Sequence, residues 1–434
     1  MSQLSLGRLL SDGYPDEQPV AQYTNGTVPF RTFRADVAAA TARLEGCPHA
    51  ALVCDDSYLF AVGLFALWYA GAAILLPANS QPGTLATLDV PIIDDRWLSR
   101  FPPAQRPFQS LDPSQCRVVL HTSGSTGTAK CIAKTLNMLQ SESAAIQRAF
   151  GAQSGSGPVF ATVTHQHLYG LTFRLLWPLA AGRLFDATTD AVWETLLPRL
   201  RRGAMIVSSP AHLGRLGGLR PAAERPAMVL SAGAPLTVEA AHMTAAIFGS
   251  LPTEIFGSTE TGVIASRRQV HGGEDWTLLP GNKIRTDAEG RMAVHPAYMD
   301  GWQQTQDVIE PTAGGFRFLG RADRIVKIEG ERVSLPELEA ALENLPQVAE
   351  AAVVALPETP VRLGAVLVLT ADGHALLSDL GSFRFGRLLR RLLSASFEPA
   401  CLPRTWHFTD AIPVRAMGKR NDIEIAALFA RRPV

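Results

Sequence analysis

From Ala50 to about Phe256, short apolar runs alternate with helical stretches, and this alternation restricts the fold more than any other feature of the chain. The candidate strands are Ala51–Cys54, Ala72–Leu76, Ile92–Asp94, Arg117–His121, Val159–Val163, Ala204–Val207, Met228–Leu230 and Glu254–Phe256. Helical patterns such as Thr135–Phe150 and Thr237–Phe248 lie between them. Strands that alternate with helices predict parallel-type sheets covered by helices. After about Val263 short strand-like runs are broken by turns at Leu279-Pro280-Gly281, Asp287-Ala288-Glu289-Gly290 and Ala313-Gly314-Gly315. That predicts a small antiparallel, barrel-like part. A last block begins near Asp323, with a helix over Leu335–Asn344, strands at Ala351–Ala355 and Gly364–Leu369, and a basic helix around Arg384–Leu393. The expected class is α/β, with a large N-terminal domain over residues 1–321 and a small α+β C-terminal domain over 322–434, which is long enough for its own core.

Tyr58–Leu76 is nineteen residues without a charge, the length of a membrane span. Ala70-Gly71 sits where a helix would stop, and Ala73–Leu76 then reads as a buried strand. The flanks, Asp55-Asp56 and Pro77-Ala78-Asn79, offer no Lys or Arg anchor, so a buried helix, turn and strand is expected and no membrane span. Forty Lys+Arg balance forty Asp+Glu, which argues against nucleic acid as the main ligand. The five Cys (47, 54, 116, 131, 401) form no CxxC pair, so reduced thiols are expected, without disulfides or a zinc site. The N-terminal twenty residues lack a basic stretch followed by an apolar run. A cytoplasmic protein is the expectation.

His121-Thr122-Ser123-Gly124-Ser125-Thr126-Gly127-Thr128-Ala129-Lys130 comes directly after an apolar strand and is expected to lead straight into a helix. Hydroxyls and glycine-exposed N–H groups make a concavity for anions, and Lys130 adds a point charge for phosphate. The spacing is not the GxxxxGK[ST] loop, because Cys131 stands where Ser or Thr would be. TSGSTGTAK resembles the signature loop of the adenylate-forming superfamily: acyl- and aryl-CoA synthetases, luciferases and the adenylation domains of peptide synthetases. Ala129 and Cys131 stand where that family usually has Pro and Gly.

Further segments resemble the family in its own order. His167-Leu168-Tyr169-Gly170 is similar to the segment that lines the acid pocket, and Ser231-Ala232-Gly233-Ala234-Pro235-Leu236 to the turn that presents backbone to adenine. His165 reads as a buried structural imidazole. Glu254-Ile255-Phe256-Gly257-Ser258-Thr259-Glu260-Thr261-Gly262 resembles the aromatic-Gly-x-Thr-Glu motif. The resemblance implies that Phe256 packs on adenine, Thr259 contacts the α-phosphate and Glu260 holds Mg²⁺. Tyr298–Asp307 resembles the Gly-Trp-x-x-Thr-Gly-Asp segment with Gln306 in place of Gly, which implies that Asp307 accepts the ribose hydroxyls. Gly320–Val333 matches GRxDxxVKxxGxR at every fixed position, which implies Arg321 on ribose and Asp323 as hinge. Ile412–Lys419 resembles the terminal Gly-Lys motif, making Lys419 the catalytic lysine of a mobile C-terminal domain.

The resemblance therefore implies an AMP-forming acid–thiol ligase that uses ATP and Mg²⁺ to make an acyl-AMP from a small carboxylic acid. The acyl group then passes to the thiol of CoA or to the phosphopantetheine of an acyl carrier protein. Thr164-His165-Gln166-His167 lacks the Asp that amino-acid-activating members carry, so aryl acids and short or medium fatty acids are the expected substrates. Gross likeness extends to short stand-alone ligases of bacterial aryl-polyene-type pigment clusters. Arg384, Arg387, Arg390 and Arg391 form either a face for an acidic partner or a solvated helix surface. Two other classes share these motifs: a non-catalytic nucleotide or acyl-AMP-binding regulator, and a luciferase-like monooxygenase.

Overall fold

The computed structural model describes residues 3–77, 79–122, 130–272, 274–328, 331–356, 361–394, 397, 399–414 and 421–430. The chain divides into two compact units. The larger comprises Met1–Arg285, Ala293–Gln303 and Pro311–Arg317; the smaller comprises Thr286–Met292, Gln304–Glu310 and Phe318–Val434.

The larger unit holds two sheets. In one, the strand order is Ile92–Asp94, His49–Val53, Ala73–Leu76, Arg117–Thr122, Lys130–Thr135, with the first four parallel and the last antiparallel. In the other, Thr253–Ser258, Met228–Ser231, Met205–Ser208, Val159–Ala161, Phe185–Asp186 and Pro19–Tyr23 run parallel. The antiparallel strands Gly262–Arg267 and Trp276–Leu278 continue it beyond Thr253–Ser258, and the Gly26–Pro29 strand closes a hairpin at the other side. Apolar residues from both sheets, among them Leu52, Ile74, Val118, Met205 and Leu230, share one core with residues of helices Ser57–Tyr69 and Leu136–Phe150. Burial of such side chains, worth roughly 1.5–3 kcal/mol each, is the main source of stability.

The nineteen-residue uncharged run becomes the expected helix, turn and strand. Asp56 caps the helix Ser57–Tyr69 by accepting the Tyr58 and Leu59 N–H groups. Gly71, at φ +76°, turns the chain into the Ala73–Leu76 strand. Among the described residues no helix is long and apolar enough to cross a membrane.

The smaller unit pairs Val348–Leu356 with Arg362–Leu369 antiparallel, and Thr405–Phe408 joins Arg362–Leu369 in parallel. Helices Leu335–Glu343, Ala371–Leu393 and Asp422–Ala430 accompany this sheet. Leu338, Leu342, Val353, Leu367, Phe385 and Leu389 lie in its core. The long helix is broken at Gly381, where φ is +72° and ψ 159°.

Candidate functional site

Parallel strands point their carboxyl ends the same way, and ligands in such sheets bind outside those ends. Register places Ala161 opposite Val207, Ser208 opposite Ser231, and Ser231 opposite Glu254. The segments just beyond this line are His165–Gly170, Ser231–Leu236 and Phe256–Glu260. Three of the segments singled out in the sequence therefore leave one sheet at one edge.

His165 is fully buried. Its Nε2 lies 2.8 Å from the Cys54 carbonyl and its Nδ1 2.9 Å from Ser57 Oγ. A carbonyl can only accept, so Nε2 carries the proton and Nδ1 accepts from Ser57. Burial, helped by the nearby Arg174 cation, holds its pKa well below the usual imidazole value. The imidazole is structural, as expected. Arg174 is itself wholly buried and donates to the Val163 carbonyl (3.0 Å), to Thr189 Oγ1 (2.6 Å) and to the Thr188 carbonyl (2.5 Å). It lies in the π-helical turn Leu171–Leu176 and fixes the end of the strand that leads to His165.

His167 precedes the short helix Leu168–Gly170, and Tyr169 packs its ring 5.2 Å from Phe173. The Tyr169 phenol lies beside the Ser208 backbone, and burial raises its pKa well above the usual value. Gly170 is buried, and a Cβ there would lie 1.9 Å from the Thr164 carbonyl. That close approach requires glycine.

Gly233 and Ala234 form an exposed turn, with Gly233 at φ +98°. The buried Glu254 accepts from the Leu236 N–H (3.1 Å), from Arg267 Nε (2.9 Å) and from Gln269 Nε2 (2.7 Å). The Arg267 guanidinium covers the Trp276 ring at 4.4 Å, and Trp276 meets Phe256 edge to face at 5.0 Å. Phe316 contacts Phe256 from another direction at 5.1 Å. One carboxylate thus ties the Ser231–Leu236 turn to the strand carrying Phe256.

Thr259 and Glu260 occupy the half-buried tip of a hairpin between Thr253–Ser258 and Gly262–Arg267. Gly257 sits at a bulge in that pairing, and a Cβ on it would meet the Gly262 carbonyl at 2.2 Å. Lys134, 3% exposed, donates to the Glu260 backbone carbonyl at 2.6 Å. Burial lowers the Lys134 pKa, against the charges of Glu142 and Glu260. Glu142 accepts the Val263 N–H at 2.8 Å, and burial raises its pKa. Tyr298 Oη lies 2.7 Å from the Val263 carbonyl and 3.0 Å from that of Thr261.

The glycine-rich segment departs from the sequence expectation on its C-terminal side, where a strand and not a helix follows. The loop leads into the strand Lys130–Thr135, antiparallel to Arg117–Thr122, and only then into the helix. Thr122 pairs with Lys130 in backbone register. Ser123, Gly124, Ser125, Thr126 and Gly127 lie outside the described residues, as does Lys419.

In the smaller unit Arg321 Nη1 lies 3.5 Å from Asp307 Oδ1, with Arg321 exposed and Asp307 half-buried. The Asp323 backbone lies in the one-turn helix Ala322–Arg324. Arg324 pairs with the buried Glu339 at 2.5 Å, and Glu339 also accepts the Val353 N–H at 2.8 Å. The four-arginine cluster separates: Arg384, Arg387 and Arg391 are exposed, whereas Arg390 donates to the carbonyls of Pro399, Leu402 and Pro403.

Lys134, Glu142, Glu254 and Tyr298 are not singled out by the sequence. Glu254 and Tyr298 stand inside motif-bearing segments, whereas Lys134 and Glu142 do not. Lys134 carries one faint signal, a second lysine four residues after Lys130 in an otherwise strand-like run.

Residues 78–289 match the model of the family described as AMP-binding enzyme. A 4-coumarate–CoA ligase of Rhodobacter capsulatus is 32% identical over 312 residues, covering 70% of this chain and 75% of that protein. An L-proline–[L-prolyl-carrier protein] ligase of Pseudomonas fluorescens is 29% identical over 201 residues, covering 42% of this chain and 39% of that protein. The crystal structure of ATP-bound MatB from Rhodopseudomonas palustris superposes with a TM-score of 0.79 at 17% identity, over 98% of this chain and 99% of that one. With the signature segments in family order and one relative matched over three quarters of its length, the chain belongs to the AMP-binding enzyme family of adenylate-forming ligases.

Proposed function

We propose that this chain is an AMP-forming acid–thiol ligase that takes an aromatic carboxylic acid and passes its acyl group to CoA. A carboxylate is a poor acyl donor because oxide would have to leave. In the first step a carboxylate oxygen attacks the α-phosphorus of ATP, the bond to the departing pyrophosphate breaks, and acyl-AMP forms. In the second, the thiol sulfur attacks the acyl carbonyl, AMP leaves, and the thiol proton passes to solvent.

The first step joins two anions, so charge placement dominates catalysis. Thr122 to Gly127 and Lys130 hold the departing phosphates, Thr259 the α-phosphate, and Phe256, Gly233, Ala234 and Gly257 the adenine. Asp307 and Arg321 take the ribose hydroxyls. Lys419 pairs with the acid and the α-phosphate, and His167, Tyr169 and Gly170 border the acid. Asp323 is the hinge between a domain of residues 1–321 and a mobile one of 322–434. Among the described residues no group of three or more His, Cys, Asp or Glu could cage a metal. Mg²⁺ suits a site of one carboxylate completed by phosphate oxygens, which Glu260 offers. When bound, that ion neutralises phosphate charge.

The observation that carries the proposal is the shared edge from which His165–Gly170, Ser231–Leu236 and Phe256–Glu260 emerge. An aromatic acid is chosen because the relative matched over three quarters of its length is named for 4-coumarate. A carrier-protein thiol is the second reading, favoured by the exposed Arg384, Arg387 and Arg391 and by the carrier-protein ligase among the relatives. Hydroxamate trapping of the adenylate with a panel of aryl and aliphatic acids tests the acid. Repeating the best acid with CoA and with a holo carrier protein tests the acceptor. Hydroxamate from aryl acids and thioester with CoA are expected. Hydroxamate from fatty acids alone, or thioester only on the carrier, would contradict the assignment.

A further inference from the structure

The geometry points to Lys134, Glu142 and Tyr298 as positioning residues that hold the Ser258–Gly262 turn so that the Glu260 carboxylate is preset for a divalent cation. Each comes from a different part of the larger unit: the strand Lys130–Thr135, the helix Leu136–Phe150, and the stretch just after the strand Arg291–His295. Each binds backbone, and all of that backbone lies in or beside one turn. Lys134 holds the carbonyl of Glu260 itself, Tyr298 the carbonyls of Thr261 and Val263, and Glu142 the N–H of Val263.

Burial makes this arrangement costly. An ammonium or carboxylate taken out of water loses several kcal/mol of hydration unless it is well partnered. Both Lys134 and Glu142 are only 3% exposed. Among the described residues Lys134 donates to the Glu260 carbonyl and to Met299 Sδ, and the charges of Glu142 and Glu260 favour its ammonium. Core filling alone would be served as well by a Leu or Met of similar length.

Gly262 shows how closely the clamp is built onto the turn. Its φ is +67°, and a Cβ there would lie 2.5 Å from Tyr298 Oη and 2.6 Å from Glu142 Oε1. The two polar groups press directly on the residue that reverses the chain after Glu260. Ser258 and Thr261 close the turn internally, with Oγ and Oγ1 3.0 Å apart and the Thr261 N–H donating to Ser258 Oγ at 3.1 Å. A side chain at the tip of a hairpin normally samples several directions. Fixing the carbonyl of its own residue restricts the backbone from which Glu260 projects, which lowers the entropic cost of meeting the ion.

This inference rests on reading Glu260 as the carboxylate that meets the cation, and the experiment separates the two claims. Mn²⁺ serves as the probe, titrated by electron paramagnetic resonance into the full-length chain with ATP present and no acid. Lys134→Met, Tyr298→Phe and Glu260→Gln are compared with the parent, each with its melting curve. The expected result is Mn²⁺ affinity about tenfold weaker in Lys134→Met and about threefold weaker in Tyr298→Phe, as for the loss of one buried hydrogen bond. Glu260→Gln should weaken it at least as much as Lys134→Met. Parent-like Mn²⁺ affinity in folded Lys134→Met and Tyr298→Phe, with Glu260→Gln impaired, overturns the positioning role and spares Glu260. Parent-like affinity in Glu260→Gln removes Glu260 as the ligand, and the positioning role with it. Should Lys134→Met fail to fold, Tyr298→Phe, which removes one oxygen, decides between these outcomes.

Discussion

Gly170 is a residue whose identity the backbone around it restricts sharply. A Cβ there would lie 1.9 Å from the Thr164 carbonyl, a backbone atom that cannot swing aside. Gly170→Ala should destabilise the chain by about 1–3 kcal/mol, the usual range for overpacking, and the decrease is measurable by urea denaturation. His165 carries a pH prediction. Its folded pKa lies well below 6.5, whereas the unfolded chain's imidazole titrates near the ordinary value. Below about pH 6.5 the unfolded state therefore binds the extra proton, and stability falls with acid by up to about 1.4 kcal/mol per pH unit down to the folded pKa. In His165→Asn that contribution to the slope should vanish, so the stability gap between parent and variant should narrow from pH 7.5 to 5.5. A gap that stays constant would mean that the imidazole takes up its proton equally in the folded and unfolded states. His165 is read in the sequence as a buried imidazole, and the fold buries it fully. The clamp around Glu260 is not legible there, because its partners lie up to 126 residues apart in the chain and bind backbone, which leaves no side-chain pattern.

At the scale of elements, periodicity carries most of the way. The eight strands read between Ala51 and Phe256 all exist, with ends displaced by only a few residues. Phe185–Asp186 is a strand too short to read, and a second missed strand there, Lys130–Thr135, contains two lysines and a threonine in six residues and pairs antiparallel beside a parallel set. A polar run after a glycine-rich loop resembles a helix lead-in, and only the pairing with Arg117–Thr122 makes it a strand. The helix read around Arg384–Leu393 is the part of Ala371–Leu393 that follows the break at Gly381, whereas the part before that glycine is not read in the sequence. In the smaller unit, Arg324 and Glu339 join the one-turn helix at Asp323 to the helix Leu335–Glu343 and the strand Val348–Leu356. Removing one partner of a buried pair typically costs about 3–5 kcal/mol. Arg324→Ala should lower the melting temperature of the smaller unit, followed by calorimetry, and a double variant Arg324→Met/Glu339→Leu should recover much of it. Unchanged melting in Arg324→Ala would show the pair to be dispensable.

At the scale of the whole molecule, the two compact units are not contiguous in sequence. Thr286–Met292 and Gln304–Glu310 group with Phe318–Val434, so Asp307 and Arg321 belong to one unit and Glu260 to the other. A linear reading cannot show such interleaving, because it arises from which strands pair and not from where composition shifts. The functional prediction at this scale concerns the two half-reactions. Lys419→Ala should abolish adenylate formation and spare thioester formation from supplied acyl-AMP. Asp323→Pro should impair thioester formation far more than adenylation. Equal loss of both half-reactions in Lys419→Ala would remove the lysine from its assigned role. Everything proposed above depends on the chain converting a carboxylic acid to its adenylate with cleavage of ATP. Exchange of labelled pyrophosphate into ATP, with each acid of the panel added in turn, reads that step. Exchange that requires an acid is expected, with AMP as the nucleotide product once a thiol is supplied. Exchange absent with every acid, or turnover yielding ADP and phosphate, would contradict it.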